Sequence, residues 1–282
     1  MIQLDLIEFA DLIHPRDIIQ ELIRQIPDLQ PPIPLESIAE ARGIRDIQYA
    51  HYDTFEAALV ADRYKREGII LINNKLTGRG GLCRQRYSLG HELGHFMLPL
   101  HGHEMACSVN DITGTTNTKF EKEADEFSSH LLMPSTLLDQ EPTFREKPSL
   151  QQIRELALKY DVSYEACGKR YVNHHSTPMM LIFYKDKRMK YFHKNNSFPF
   201  YFATHPKAGL PAPSESLTNR IDFKVSNHIH QSRVNAFIWF KEGKTQRLPM
   251  ELVEEVYVQE NGYSMTLLFF EKKLEWKELL VA

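Results

Sequence analysis

The residues with the clearest chemical potential in this sequence lie at positions 91–95, which read His-Glu-Leu-Gly-His. Two histidines four residues apart lie one turn apart on one face of a helix, so both imidazoles can bind one metal ion. Glu92 is then placed to act as a base on a water rather than to bind the metal. The pattern is short, and a buried helix with two hydrogen-bonded histidines is the alternative interpretation.

A catalytic metal site needs a third protein ligand, and a later histidine is the first candidate. His101 lies six residues after His95, which is the spacing of the metzincin pattern. That pattern requires a glycine at position 98, where the chain must turn sharply, but this chain has Leu98 followed by Pro99. We therefore do not expect His101 to be a ligand, and we predict that His101 and His103 lie in a polar loop.

The second candidate lies in a helix predicted at 119–133. Glu121 and Asp125 are separated by four residues and share a face of this helix. A neighbouring apolar stripe of this helix can pack on the motif helix and bring Glu121 to the metal, so Glu121 is the better third ligand. Asp125 is predicted to accept a hydrogen bond from the second ring nitrogen of a ligand histidine. Glu123 lies roughly 160° from Asp125 around the helix, so the two are not expected to serve one site. An acidic, solvated first turn is the alternative interpretation.

The segments before the motif predict a small sheet that supports its helix. Helices are predicted at 15–26 and 35–42, and strands at 44–49, 55–61 and 68–73. A loop at 77–81 is expected to lead into the motif helix. A sheet followed directly by such a helix is the arrangement that a zincin-type peptidase needs, because an edge strand can pair with an extended peptide. We expect 55–61 to be that edge.

Taken together, these motifs resemble the ImmA/IrrE family of metallo-endopeptidases. The resemblance covers about residues 35–172 and is carried by the segments 67–73, 91–96, 121–134 and 161–163. The family pattern often has asparagine at position 125 and alanine at position 128, where this chain has Asp125 and Ser128. An aspartate can orient a histidine at least as well as an asparagine, so this difference does not argue against the resemblance.

The resemblance implies a gluzincin-like site with His91, His95 and Glu121 as zinc ligands and Glu92 as the catalytic base, with manganese as the alternative metal. It also implies a substrate, namely an XRE-type helix-turn-helix repressor that is cleaved upon stress or mobile-element signals. The predicted function is therefore a zinc-dependent endopeptidase in transcription regulation. A metal-dependent DNA-binding or sensor regulator without protease activity is the alternative, and a metal hydrolase acting on a non-peptide substrate is a third hypothesis.

The whole chain is predicted to be an α+β protein in three parts. A zincin-like peptidase domain is expected at 1–146, a helix-turn-helix-like helical segment at 147–175 and a C-terminal α+β domain at 176–282. In the helical segment, three basic residues could contact phosphates, namely Lys159, Lys169 and Arg170. The alternative, two helices packed on the peptidase core, is favoured by the acidic balance of the chain.

Strands in the C-terminal part are predicted at 180–184, 189–193, 236–240 and 265–270, with a hairpin turn at 185–187. By analogy with some family members, this part is expected to be a GAF-like sensor domain that binds an unidentified small molecule or signal. Six aromatic residues are predicted either to line its ligand pocket or, as is more common, to form its core: Tyr191, Phe192, Phe198, Phe200, Tyr201 and Phe202.

Composition and charge place the chain among soluble cytoplasmic proteins. The formal net charge of −3 over 282 residues gives no general attraction to nucleic acid or to acidic membranes. The three cysteines Cys83, Cys107 and Cys167 are far apart and form no C-x-x-C pair, which is typical of reduced thiols. The N-terminus does not have the pattern of a signal peptide, and no apolar run approaches the roughly 18 residues of a membrane span.

Overall fold

The computed structural model describes residues 2–102, 104–107, 119–204, 207–222, 227–242, 247–259 and 262–271. The chain divides into two compact units. Unit 1 comprises Met1–Leu138 with Ala157–Ser163, and unit 2 comprises Asp139–Leu156 with Tyr164–Ala282. Both helices and sheets are present, which confirms the predicted α+β class. The predicted three-part division at 1–146, 147–175 and 176–282 stays a prediction.

The described residues of unit 1 contain one sheet, a 3-10 helix at Leu6–Phe9 and five α-helices that lie wholly within the unit. The helices are α1 (Pro15–Gln25), α2 (Leu35–Arg42), α3 (Gly78–Met97), α4 (Lys119–Leu132) and α5 (Ser135–Leu138). The strands are β1 (Ile44–Ala50), β2 (Ala57–Ala61), β3 (Gly68–Asn73) and β4 (Glu104–Cys107). The predictions for α1, α2, β1 and β3 are confirmed to within a residue, because each has a clear periodicity and a clear stop signal in the sequence.

The sheet of unit 1 has the strand order β1-β3-β2-β4. Strand β1 runs parallel to β3, whereas β2 is antiparallel to both β3 and β4. The prediction that 55–61 forms the edge is therefore wrong, because β2 lies inside the sheet and β4 is the outer strand beside it. The sequence did not indicate β4, since Glu104-Met105-Ala106-Cys107 contains no β-branched or aromatic residue.

Helix α3 begins at Gly78, so the loop predicted at 77–81 is wrong for most of its length. The first turn is anchored by Arg79, whose guanidinium donates to the carbonyl oxygens of Ala157 at 2.9 Å and Val162 at 2.7 Å. These two bonds stabilise a helical start that three glycines within the first four residues would otherwise disfavour. The long helix brings the histidine motif to the middle of unit 1.

The chain continues with α6 (Leu150–Lys159) and α7 (Tyr164–His174), and then with the strands of unit 2. The elements that follow are β5 (Met179–Lys185), β6 (Arg188–Lys194), β7 (Tyr201–Phe202), α8 (Leu217–Arg220), β8 (Ile229–Asn235), β9 (Phe240–Lys241), β10 (Glu251–Val258) and β11 (Tyr263–Phe269). Five of the strands form an antiparallel sheet in the order β6-β5-β11-β10-β8, and β7 pairs with β9.

Three of the four strands predicted in unit 2 are confirmed as β5, β6 and β11. The hairpin turn at 185–187 is also confirmed, because Asp186 and Lys187 have φ values of 49° and 61°, as the tight turn between β5 and β6 requires. The strand predicted at 236–240 is wrong, since Ala236–Ile238 forms a 3-10 helix. Strands β7, β8 and β10 were not predicted, and β9 overlaps the predicted segment only at Phe240.

Candidate metal centre

Helix α3 and helix α4 pack closely because α3 presents glycines to its partner. A Cβ at Gly90 would lie 2.7 Å from the Ser128 hydroxyl oxygen, and one at Gly94 would lie 3.1 Å from the Phe127 side chain. The Ser128 hydroxyl also donates to the carbonyl oxygen of Tyr87 at 2.9 Å. The two helices therefore lie close enough for acidic side chains of α4 to reach the histidines of α3.

The two motif histidines and Glu121 meet in the interior of unit 1. The Nε2 atoms of His91 and His95 are 3.1 Å apart, and the carboxylate oxygens of Glu121 lie 3.2 Å from His91 Nε2 and 3.5 Å from His95 Nε2. All three residues are buried. Ligands bound to zinc at about 2.0–2.1 Å in a tetrahedron are separated by about 3.3 Å. The geometry and the donor set of two imidazoles and one carboxylate therefore fit a divalent metal ion.

Glu92 lies beside this group on the same helix and is fully buried. Its charge acts on His91, where it helps to raise the pKa of the imidazole. A buried carboxylate next to two histidines that could hold a metal ion has the chemistry of a general base. The assignment of Glu92 as base, and of His91, His95 and Glu121 as ligands, stays a prediction.

Asp125 lies behind His91, on the side away from Glu121. Its Oδ1 atom is 3.0 Å from His91 Nδ1 and accepts a hydrogen bond from the Tyr87 hydroxyl at 2.9 Å. Burial, followed by the charge of Asp125, raises the pKa of Tyr87, so its hydroxyl remains a donor at neutral pH. This arrangement fixes the hydrogen of His91 on Nδ1 and directs Nε2 toward His95 and Glu121.

His101 lies in the loop that follows α3, as predicted. Its side chain is fully buried, and its Nδ1 atom lies 2.9 Å from the Nδ1 atom of His95. Its Nε2 atom lies 3.1 Å from a carboxylate oxygen of Glu123. Burial lowers the pKa of His101 to about 4, although the bond to Glu123 opposes this shift. His103, for which the same loop was predicted, lies outside the described residues.

Glu123 was expected to be unable to serve the same site as Asp125, and for direct metal binding this stays a prediction. The two residues do point in different directions from α4, but His101 bridges the distance between Glu123 and His95. The six-residue spacing between His95 and His101 is that of a direct metal ligand, so it does not predict this contact behind a ligand histidine.

The electrostatics of the metal-free site depend on the His91–Glu121 pair. Burial by itself lowers the pKa of His91, but hydrogen bonds to Asp125 and Glu121 and the charge of Glu92 outweigh it and raise the pKa to about 9. In turn, hydrogen bonds from His91 and His95 lower the pKa of Glu121. Without metal, the site therefore holds a cationic His91 against an ionised Glu121 at neutral pH.

We expect metal binding at about pH 7 to release about one proton, because a metal binds only the neutral imidazole. Since the pKa of His91 is about 9, the apparent metal affinity should rise about tenfold per pH unit until the pH reaches that value. Calorimetry of metal binding in two buffers with different ionisation enthalpies measures the released protons. Equal heats in both buffers would show that His91 is already neutral.

The end of α3 is held by a buried lysine from the turn between β2 and β3. The ammonium group of Lys65 donates to the carbonyl oxygens of His95 at 2.7 Å and Leu98 at 2.8 Å. Burial, with the nearby charge of Arg42, lowers the pKa of Lys65 to about 8, so the group is still mainly charged at neutral pH. A cation at this position also interacts favourably with the C-terminal end of the helix dipole.

Replacing Lys65 by methionine should lower the free energy of unfolding by about 2–3 kcal/mol, because the substitution keeps the apolar stem but removes two charge-assisted hydrogen bonds. Urea unfolding of the full chain measures this change. Lys75→Met is the matched control, since Lys75 is exposed. Equal stability of the two variants would contradict the assigned role of Lys65.

Two of the three basic residues named for phosphate contact in the helix-turn-helix-like segment, Lys169 and Arg170, are buried or engaged by neighbouring side chains, whereas Lys159 is exposed. Arg170 is buried, with an exposed fraction of 7%. Lys169 lies 3.7 Å from a carboxylate oxygen of Glu165 and above the ring of Tyr191 at 4.8 Å. A structural role of this segment, as a packed pair of helices, therefore fits these two side chains better than phosphate contact.

Unit 2 contains a cavity of about 710 Å³, which is lined by residues that include Arg233, Leu248 and Phe270. None of the six aromatic residues predicted for a ligand pocket lies in the described lining of this cavity. Phe198 and Phe200 instead belong to the hydrophobic core of the unit. The general prediction that such residues are more often core than pocket applies to these two.

Comparison with known proteins agrees with the geometry of unit 1. Residues 44–171 match the family Peptidase M78, described as the IrrE N-terminal-like domain. None of the curated proteins matches the chain. A solved structure titled Mycobacterium tuberculosis transcriptional regulator is similar over 91% of this chain and 88% of that chain, with 12% identity and a TM-score of 0.47. A likeness at this level does not bear on function.

Within the residues that the structure describes, no helix combines the length and the apolar character needed to cross a bilayer.

The segment that matches the family model contains α3 and α4, and with them His91, His95 and Glu121. The resemblance predicted from the motifs is therefore confirmed by a match to the Peptidase M78 family model, and residues 44–171 of this chain are similar to the IrrE N-terminal-like domain.

Proposed function

We propose that the protein is a metal-dependent endopeptidase, with zinc as its metal and manganese as the alternative. The observation that carries this proposal is the buried group of His91, His95 and Glu121 beside Glu92, within the Peptidase M78 domain. Zinc fits a site of two imidazoles and one carboxylate that leaves a position for water or substrate. The same ligand types also suit other divalent metals, and manganese is retained for that reason.

When bound, the metal supplies a Lewis acid that polarises the peptide carbonyl and makes water a stronger acid. The chain supplies the proton transfers. Glu92 takes a proton from the attacking water as its oxygen bonds to the carbonyl carbon, and then gives that proton to the amide nitrogen as the C–N bond breaks. The products are a carboxylic acid and an amine. Because Glu92 is fully buried, its carboxylate acts without competing solvation by bulk water.

An extended peptide substrate is proposed to add to the sheet of unit 1 at an outer strand. In the described part of the sheet, β1 and β4 are the outer strands. An edge strand offers main-chain donors and acceptors at regular spacing, which bind a peptide without regard to most of its side chains. The strand β4 takes the role that was predicted for 55–61, because it follows α3 in the chain and pairs with β2.

The substrate is proposed to be a helix-turn-helix repressor of the XRE type, cleaved upon a stress or mobile-element signal in the cytoplasm. The family resemblance supports the substrate class. The buried thiols of Cys83 and Cys167 are compatible with a reducing compartment. Unit 2 is proposed to be the sensor, with a GAF-like fold as the finer hypothesis. Its five-stranded antiparallel sheet and its cavity of about 710 Å³ support a ligand-binding role.

The experiment that tests this function is incubation of the zinc-loaded protein with a helix-turn-helix repressor encoded beside its own gene. Mass spectrometry of the products should find two fragments that meet at one peptide bond, with one water added. A chelator should abolish cleavage, and added zinc should restore it. A repressor that stays intact with the metal-loaded protein, under conditions with and without stress, would contradict the proposed substrate.

A further inference from the structure

The buried pair His101–Glu123 lies outside the three residues that could bind the metal, yet it contacts one of them. His101 Nδ1 lies 2.9 Å from His95 Nδ1, and the two rings are 5.0 Å apart between centroids. The ring centroid of Phe120 lies 4.8 Å from that of His101. His101 is therefore held in a defined position by an aromatic ring and by a hydrogen bond to the back of His95.

The hydrogen bonds of this group have one consistent direction if His95 is a ligand. His95 Nε2 faces His91 and Glu121, so a metal there requires that the hydrogen of His95 be on Nδ1. That N–H then donates to His101 Nδ1, which must be an acceptor. In a neutral imidazole the hydrogen is then on Nε2, where Glu123 accepts it at 3.1 Å. Each Nδ1 and Nε2 atom of His95 and His101 is therefore assigned one role, and the Glu123 carboxylate is an acceptor.

A simpler arrangement orients the ring of His91. There a carboxylate of α4, Asp125, contacts His91 Nδ1 directly at 3.0 Å. At His95 the carboxylate of α4 is Glu123, and one imidazole is inserted between it and the ligand histidine. Partners of this kind fix the tautomer and the ring orientation of metal-binding histidines.

The geometry points to His101 and Glu123 as positioning residues that hold the His95 imidazole with its hydrogen on Nδ1 and its Nε2 atom directed at the metal. This inference rests on the metal site of the proposed function, but it does not depend on the substrate or on cleavage. His101 is thus not a metal ligand, because both of its nitrogens are engaged by His95 Nδ1 and Glu123.

Metal affinity of the full chain tests this inference, measured by competition with a chromophoric chelator for Zn²⁺ and by the visible absorption of bound Co²⁺. His101→Phe keeps a flat ring but removes the acceptor, and it should lower the affinity by about 10–100-fold and change the Co²⁺ spectrum. His101→Asn places an oxygen where Nδ1 stood, and it should recover most of the affinity. An affinity and a spectrum of His101→Phe equal to those of the parent would overturn the inference.

The other end of the pair gives a second test that does not disturb the buried ring. Glu123→Gln removes the charge that His101 faces and should also weaken metal binding, whereas Glu126→Gln removes one charge from the same helix without touching the pair and should not. Glu126 is bound instead to Arg16 at 2.7 Å. Equal effects of the two substitutions would overturn the inference, because they would indicate a general charge effect.

The stability of the metal-free protein distinguishes the positioning role of His101 from a merely structural role. Such a role would lower the free energy of unfolding of His101→Phe and His101→Asn alike and leave the Co²⁺ spectrum of the folded protein unchanged, which would overturn the inference. A parent that binds neither ion would overturn both this inference and the proposed function. A parent that binds metal but cleaves no repressor would contradict the proposed function alone, since the affinities still decide the role of His101.

Discussion

Replacing Glu92 by glutamine should lower the rate of peptide cleavage by about 10²–10⁴-fold while leaving metal affinity within a small factor of the parent. Glutamine has nearly the same shape as glutamate, but its amide cannot accept the proton of the attacking water. The three ligand residues are not changed, so their contacts at 3.1–3.5 Å should persist. Initial rates on the cleaved repressor and chelator competition on the same samples measure the two quantities.

The matched control for this substitution is Glu126→Gln, which makes the same chemical change at a partly exposed position of α4. We expect it to cleave at the rate of the parent. Cleavage by Glu92→Gln at the parental rate would refute the role of Glu92 as base. A loss of metal binding in this variant would instead indicate that Glu92 supports the site itself, and the loss of rate could then not be assigned to proton transfer.

The parts of the fold that the sequence predicts are those that depend on local patterns. Helix α2 is stopped by Gly43, which has a φ of 118° and ends the helix in the left-handed conformation that glycine favours. Strand β3 carries a run of β-branched and aliphatic residues at 69–72. Such signals act within a few residues, so they do not depend on what packs against them.

The order of the sheet was not predictable in the same way. Strand β2 became an inner strand because β4 pairs with it, and the four residues of β4 have no strand signal of their own. Strand β10 was missed for a related reason, since Glu254 and Glu255 interrupt its apolar pattern although both are buried. Their burial depends on donors from distant segments, which the sequence of the strand does not contain.

For the candidate site, helical spacing brought the right residues together on each helix. His91 and His95 on α3, and Glu121 and Asp125 on α4, follow from the four-residue rule. The contact of His101 with His95 follows from no such rule, because it depends on how the chain turns after Leu98. There the backbone N–H of His101 donates to the carbonyl oxygen of Leu98 at 3.3 Å, and this turn directs the ring inward.

Replacing Glu254 by glutamine should destabilise unit 2 by about 3–5 kcal/mol. The carboxylate of Glu254 is fully buried and accepts four hydrogen bonds. The donors are the backbone N–H groups of Leu217 and Thr218, the Thr218 hydroxyl and the indole N–H of Trp239. A glutamine turns an NH₂ group toward two of these four donors, so two charge-assisted bonds are lost and their donors remain buried.

Urea unfolding of the full chain in a Trp276→Phe background measures this loss, because the fluorescence then comes from Trp239, which is buried beside Glu254. Glu255→Gln is the matched control on the same strand. Glu255 is also buried but accepts one described bond, from the backbone N–H of Leu150 at 2.7 Å, and burial raises the pKa of its carboxyl. A glutamine oxygen can replace that single acceptor, so we expect a cost of about 1 kcal/mol. Equal costs at the two positions would show that loss of a buried charge, rather than the number of donors, decides the stability of this strand.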